Sequence, residues 1–269
     1  MTIIQRKDGT IYNLRELGIR TKEFDVNSIP PVHETEIVSG RPGQIDMGTR
    51  YDSRIITCLF FSASRDLDDY PLKRNEIFQM LRSDESFYLI DSRESTKRWE
   101  VKVNNSFGLT RKFTFGEFSV DFICNKGFSE SVGVTPNPFE FSEGVWGVGQ
   151  GLIAEDWKYS FSNQSFQVFN AGTEAIDPRY LDLKIKFVGA SSNLLIRNLT
   201  TGEEWNYKGN SNVSDVILLD GIRSTKNNLS IFRDTNKKIL TLAPGRNNFS
   251  VTGNTGAFVI DFEFRFYYV

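Results

Sequence analysis

The chain has 269 residues, 39% of them hydrophobic and 25% charged, with a formal net charge of −2. That is the balance of a folded globular protein, long enough for two domains of ordinary size. So small a net charge argues against an extended nucleic-acid-binding face, and no stretch approaches the roughly 20 apolar residues needed to span a bilayer.

Aromatics reach 13%, and Phe alone contributes 23 residues. Side chains of that kind suit a pleated, half-buried surface, so composition leans towards sheet. The opening segment, MTIIQRKDGTIYNL, has no signal-peptide pattern, and an intracellularly made protein without a membrane anchor is expected. Cys58 and Cys124 are the only cysteines. They lie far apart on strand-like runs, and two buried free thiols are expected rather than a disulfide.

In chain order, Ile55 to Phe61 (IITCLFF) predicts a buried strand, with the polar Arg54 as its boundary. A helix follows. Asp68 and Asp69 offer capping carboxylates and Pro71 suits the first turn. Arg74, Ile77, Phe78 and Leu81 then recur at helical spacing, and Ser83 to Ser86 ends the helix. Phe87 to Ile90 and Trp99 to Val103 predict further strands. Lys112 to Cys124 reads as one long strand whose facing changes near Gly116, where a β-bulge is expected. Strands, one helix, then strands give an α+β first domain, residues 1–135.

Residues 136–163 form the junction. Glycines (Gly144, Gly147, Gly149, Gly151) and prolines (Pro136, Pro138) punctuate it. Its aromatics (Phe139, Phe141, Trp146, Trp157) argue for an ordered arm rather than a floppy linker. Residues 164–269 read as an all-β domain with a turn after each short strand. Leu181, Leu183, Ile185 and Phe187 alternate. In the last strand Phe258, Ile260, Phe262, Phe264 and Phe266 share one face while Asp261, Glu263 and Arg265 share the other. One dry face and one wet face are what a β-sandwich contributes to its core.

Chemistry-bearing groups are sparse. His33 is the only histidine, and it lies in a polar, proline-flanked segment expected to be a solvated loop. A triad would need it as base, and a zinc site needs about four clustered ligands. The run Gly147-Val148-Gly149-Gln150-Gly151 fits neither a dinucleotide fingerprint, since Leu152 replaces the third glycine, nor a P-loop, which needs Lys-Ser/Thr. The adjacent pairs Glu203-Glu204 and Asp68-Asp69 read as turn and cap residues rather than a glycosidase pair. Trp99 and Trp205 could stack on a sugar ring, but core packing is the expectation. No residue is assigned a catalytic, cofactor-binding or metal-ligating role. The chain is read as no enzyme, without cofactor, and its interface residues are left unassigned.

Several segments then carry a resemblance. Gly40-Arg41-Pro42-Gly43 followed by Gly48-Thr49-Arg50-Tyr51-Asp52-Ser53-Arg54-Ile55-Ile56 resembles the N-terminal pattern of siphophage distal tail proteins, the Dit family. Asn170-Ala171-Gly172-Thr173 with Asp177-Pro178 is similar to the entry of that family's second domain. Asn198 to Glu203 (NLTTGE) and Leu242 to Asn247 (LAPGRN) are similar to its later hairpin and turn, and 253–269 to its closing strand. The chain departs after Cys124, where Asn125-Lys126-Gly127-Phe128 replaces the family's Asp-Pro-Tyr.

The resemblance implies a mainly β virion protein of the tail tip or baseplate, made in the bacterial host cytoplasm. Its N-terminal domains would form a homohexameric ring, and a galectin-like β-sandwich would project from each. The implied partners are further copies of the chain, the tail tube protein, the tail-associated tip or lysin protein and the C-terminus of the tape measure. Receptor-binding proteins can hang on the outer domains. It implies no sequence-specific nucleic-acid binding and no membrane partner. Two other readings compete: a carbohydrate-binding module for host cell-wall attachment, and a tail-tip hydrolase. The clustered His, Asn and Arg of a galectin sugar site have no counterpart in the second half, and fold alone does not give function.

Overall fold

Ile56, Cys58 and Phe60 are sealed while the residues between them keep some solvent contact, and that period of two fixes the central strand of the first half. The computed structural model describes residues 1–137, 145–147, 150, 151 and 157–269. They divide into two units, Met1–Glu130 with Val269, and Ser131–Tyr268.

The first unit contains β1 (Thr2–Gln5), β2 (Ile11–Asn13), β3 (Ile19–Val26), β4 (Pro31–Glu36), β5 (Ile45–Tyr51) and β6 (Arg54–Ala63). Helix α1 (Asp69–Met80) follows, then β7 (Phe87–Asp91), β8 (Lys97–Val103), β9 (Thr110–Lys112) and β10 (Phe115–Cys124), with β11 (Ser129–Ser131) at the boundary. Paired neighbours run β2-β1-β7-β8-β10-β6-β3, with β9 on β10. The Thr21 hydroxyl of β3 donates to that of Thr2 on β1 at 2.9 Å, which links the last strand of this order to the second across one core. Helix α1 lays Ile77 and Met80 on that core, beside Phe60, Phe87, Val120 and Phe122.

Three local expectations are corrected. The carboxylate that caps α1 is Asp66, whose Oδ1 accepts from the backbone N–H of Asp68 at 3.0 Å and of Asp69 at 2.8 Å. The residues 112–124 are not one bulged strand. A two-residue turn at Phe113-Thr114 joins β9 to β10, Phe113 has φ 57°, and this turn changes the facing. Gly116 sits in regular register, and a Cβ there would lie 3.1 Å from the Tyr70 hydroxyl. Arg54, finally, is no boundary: it is the first residue of β6 and faces inward, 4% exposed.

The second unit contains β12 (Ser160–Phe161), β13 (Ser165–Asn170), β14 (Leu183–Asn198), β15 (Glu203–Ser211), β16 (Val216–Asp220), β17 (Arg223–Lys226), β18 (Leu229–Ser230), β19 (Gly245–Phe264) and β20 (Tyr267–Tyr268). Two strands dominate, β14 and β19, and they pair along most of their length. Register shifts between Gly189 and Leu195 break each into two arms, as bulges do. At the bend Gly253 has φ 86°, and a Cβ would sit 2.5 Å from the Asn193 carbonyl oxygen, so only glycine fits. The first arm of β14 pairs with β16 and the second with β15. The early arm of β19 carries β13 and the late arm carries β12.

Because β19 folds over, Phe249 and Phe262 of the same strand meet edge to face at 4.9 Å, and Phe166 packs on both. Their core thus lies between two layers built from the same pair of strands. Phe258, Ile260, Phe262, Phe264 and Phe266 are all buried, whereas Asp261, Glu263 and Arg265 keep partial exposure. Across the wet face Lys184 pairs with Glu263 at 3.0 Å and Lys186 with Asp261 at 3.9 Å. Within this unit Ser131 N–H donates to the Phe266 carbonyl and the Thr135 hydroxyl to that of Phe262.

Of the junction aromatics, Trp146 is 1% exposed and packs on Phe266 at 5.5 Å. A Cβ on Gly133 would collide with its ring. Trp157 stacks on Phe169 at 4.1 Å. Pro138, Phe139, Phe141, Gly144, Val148, Gly149 and Leu152 lie outside the described residues.

Replacing Phe262 by Ala removes a ring shared by both layers. A loss of about 3–5 kcal/mol is expected, from transfer energy plus the cavity. Glu263→Ala removes only a half-exposed ion pair, worth up to about 1 kcal/mol. Thermal or denaturant melts of the full chain will show the Phe262 variant far below wild type and the Glu263 variant close to it. Equal losses would mean that the strand is out of register.

Candidate functional site

The groups that could carry chemistry do not converge. His33 lies on β4 rather than in a loop, but it is exposed, with Nδ1 2.8 Å from the Thr49 hydroxyl across the hairpin. Glu203 is a structural acceptor: its Oε2 takes hydrogen bonds from the Thr241 N–H at 2.6 Å and hydroxyl at 2.7 Å. Glu204 points to Arg197 and Lys238 instead. Asp69 accepts from the Arg65 N–H at 2.9 Å. Among the described residues no group of three or more His, Cys, Asp or Glu side chains could hold a metal ion. Cys58 and Cys124 are free and buried, and burial pushes both thiols up.

The aromatics proposed as sugar platforms are core residues. Trp205 is 1% exposed and donates its indole N–H to Ser224 at 3.2 Å, while Trp99 is buried under the Arg54 guanidinium. In the described part of the glycine-rich run, the Gly147 N–H donates to the Gln150 side chain at 2.9 Å. The Tyr268 hydroxyl in turn donates to the Gln150 backbone carbonyl at 2.8 Å.

What does stand out from the first unit is a hairpin. β4 and β5 pair only with each other, and nearly every residue on them is exposed. Ile37, Val38, Met47 and Tyr51 are large apolar side chains on it left 74, 41, 61 and 64% exposed. A glycine with φ 82° at each of positions 40 and 43 shapes its connecting turn, and Gly48, φ 136°, sits at a register shift opposite Glu34. The Asp52 N–H donates to the Pro30 carbonyl at 3.0 Å and ties the arm at its root. The segment Gly40 to Tyr51 is therefore the turn and second strand of this arm. An isolated two-stranded ribbon is marginally stable in water, and apolar residues grouped on it mark an interaction surface.

The later signature segments build a clasp in the second unit. Asn198 and Asn247 are both fully buried and bond to each other at 3.1 Å. Asn247 also bonds the Ala243 N–H and carbonyl, at 2.9 and 2.8 Å, and Asn198 donates to the Thr241 carbonyl at 2.8 Å. Asn170, equally buried, accepts from the Gly172 N–H and donates to the Glu174 carbonyl. Each amide replaces a missing backbone partner at a chain reversal, which is how buried loops stay satisfied.

Residues 7–124, which include the arm, match the family model of the phage tail protein RIFT-related domain. That match spans most of the first unit, which is similar to a phage tail protein domain. The crystal structure of the Dit protein (gp 19.1) of SPP1, described as a paradigm of the hub adsorption apparatus in Gram-positive infecting phages, shares the fold of the whole chain. The TM-score is 0.71 at 12% identity, over 99% of each chain. Baseplates of phage P2 in the activated conformation, with Ca and with Sr, match at a TM-score of 0.47 and 10% identity, over 98% of this chain and 97% of theirs. No curated protein matches the sequence. The resemblance to siphophage distal tail proteins drawn from the sequence is borne out, as is the mainly β fold with one α-helix. No helix among the described residues is long and apolar enough to cross a membrane.

The first unit also holds an ion network that the sequence does not announce. Glu100 of β8 receives Lys7 at 2.6 Å, Lys126 at 2.8 Å and the Ser86 hydroxyl at 2.7 Å. Beside it Arg98 grips Glu130 at 2.7 Å, both nearly sealed, and the guanidinium lies 3.6 Å from the centre of the Tyr88 ring. Burial pushes the Glu100 carboxyl up, but the hydrogen bonds from Lys126, Lys7 and Ser86 outweigh it and hold it at about 2.

Three outcomes follow from the ion network, the clasp and the hairpin. A folded-state value depressed from 4.5 to about 2 adds stability that is fully present above the unfolded value and lost as pH falls through that window. Melting temperature should drop between about pH 4.5 and pH 2, and Glu100→Gln should flatten part of that slope. An unchanged slope would show the network contributes nothing. Asn247→Ala orphans buried donors and acceptors and should cost about 1–3 kcal/mol. His33→Ala should stay within about 0.5 kcal/mol and leave assembly intact. Loss of infectivity with normal incorporation of the His33 variant would reveal a ligand role.

Proposed function

We propose that the protein is the distal tail protein of a long-tailed phage or prophage, a non-enzymatic structural subunit of the virion tail tip made in the host cytoplasm. Six copies form a ring through their tail protein domains. That ring joins the last tube ring to the tail-associated tip protein, meets the C-terminus of the tape measure, and offers its second units to receptor-binding proteins.

The observation that carries this reading is the arm. A tail domain that sends out a ribbon with Ile37, Val38, Met47 and Tyr51 exposed leaves an interaction surface unused by its own chain. A neighbouring copy that takes up the arm while extending its own makes a head-to-tail contact, and such contacts close into rings when the rotation permits. The likeness to SPP1 Dit over the whole chain supports the hub role. The dispersal of the carboxylates and the lone exposed histidine supports a role without catalysis.

Light scattering and negative-stain imaging of the purified chain, alone and with its tube and tip proteins, test the proposal. Sixfold rings are expected in at least one mixture. A chain that stays monomeric with both partners present would sink the reading, and clearing on a peptidoglycan zymogram would overturn the non-enzymatic part.

A further inference from the structure

Arg54 is the only charged residue of β6, and it shares the inward parity of Ile56, Cys58 and Phe60. It is 4% exposed. Its Nε is sealed from solvent with no hydrogen-bond partner, and no carboxylate among the described residues lies within ion-pair distance of the guanidinium. The contact it does make is with the Trp99 ring, whose centre is 5.1 Å from the guanidinium carbon. A guanidinium keeps its charge in any environment, and a stack on one ring does not offset taking that charge out of water. Burial accordingly pulls its proton affinity down.

The arm holds a complementary charge. Glu36 stands at the end of β4 farthest from the root, opposite Ile45. It is exposed, and no cation lies within 4 Å of it among the described residues. Arg54 follows the arm's second strand by three residues and so lies at the root. About 17 Å of extended strand separates the two positions, so one chain cannot satisfy its own pair. Two copies can.

We propose that Arg54 is a socket completed by the Glu36 carboxylate of a neighbouring copy of this chain, delivered by that copy's arm. The proposal rests on the ring reading above and names the charge pair that would register each contact. A buried cation without an anion and an exposed acid, at opposite ends of one hairpin, let every copy donate once and accept once around a closed ring. Arg54 acts here as a positioning residue for the interface, with the Trp99 ring packed beside its guanidinium.

The test compares three variants of the full chain, Arg54→Met, Glu36→Gln and the double variant. Each is melted as the unassembled chain and titrated for ring formation. Arg54→Met should melt at or above the wild-type temperature, because an apolar side chain removes an unpaired buried charge. Both single variants should raise the concentration for half-assembly by more than about tenfold. The double variant should add little to either single one, as expected for one shared interaction.

If wild type itself forms no ring with any tail partner, the ring reading fails and takes this pair with it. If wild type forms rings, three results overturn the pair alone. They are an Arg54→Met chain that unfolds or melts clearly lower, either single variant assembling like wild type, or strictly additive losses in the double variant.

Discussion

The second unit depends on one strand pairing, that of β14 with β19. Both strands are long enough to serve two layers, and both bend at Gly189 to Leu195 and Gly253. With the bend in place, the two arms of β19 face each other across Phe249, Phe262 and Phe166. The remaining strands then add to edges that already exist. Each fully buried Phe contributes roughly 1.5–3 kcal/mol, so the shared face outweighs the exposed ion pairs on the opposite one.

In the first unit Thr2 and Thr21 link β1 to β3 across the core, and the arm is what remains outside. Glycines at 40, 43 and 48 shape it, and it contributes no buried apolar side chain to the core. An isolated ribbon of this kind is marginally stable in water, and its exposed apolar residues mark an interaction surface.

Polar burial in this protein is mostly local bookkeeping of backbone groups. Asn170, Asn198 and Asn247 satisfy reversals, and Asp66 satisfies the start of α1. The Arg98–Glu130 and Lys7–Glu100–Lys126 contacts are satisfied within the domain. Arg54 differs from all of these, since its charge is buried without an anion beside it.

The sequence by itself determined whatever period and turn chemistry encode. Alternation placed the closing strand, with Phe262 inside and Glu263 outside, and it placed the strands at 54–63, 87–91 and 97–103 within a residue or two. Helical spacing gave α1 with Ile77 on the core, and the order of glycine and asparagine motifs carried the tail-protein resemblance. The tertiary structure decided what depends on partners distant in the chain. A facing change at Phe113 reads the same for a turn as for a bulge until the pairing of β9 is known. β4, which carries His33, has no alternating apolar residues, so His33 reads as a loop residue from sequence. Trp99 and Trp205 could be surface platforms or core, because an aromatic on a strand has two faces to choose from and only the packed sheet chooses. Arg54 was invisible for the same reason: a charged residue before an apolar run marks a boundary in sequence, and only the register with Cys124 turns it inward.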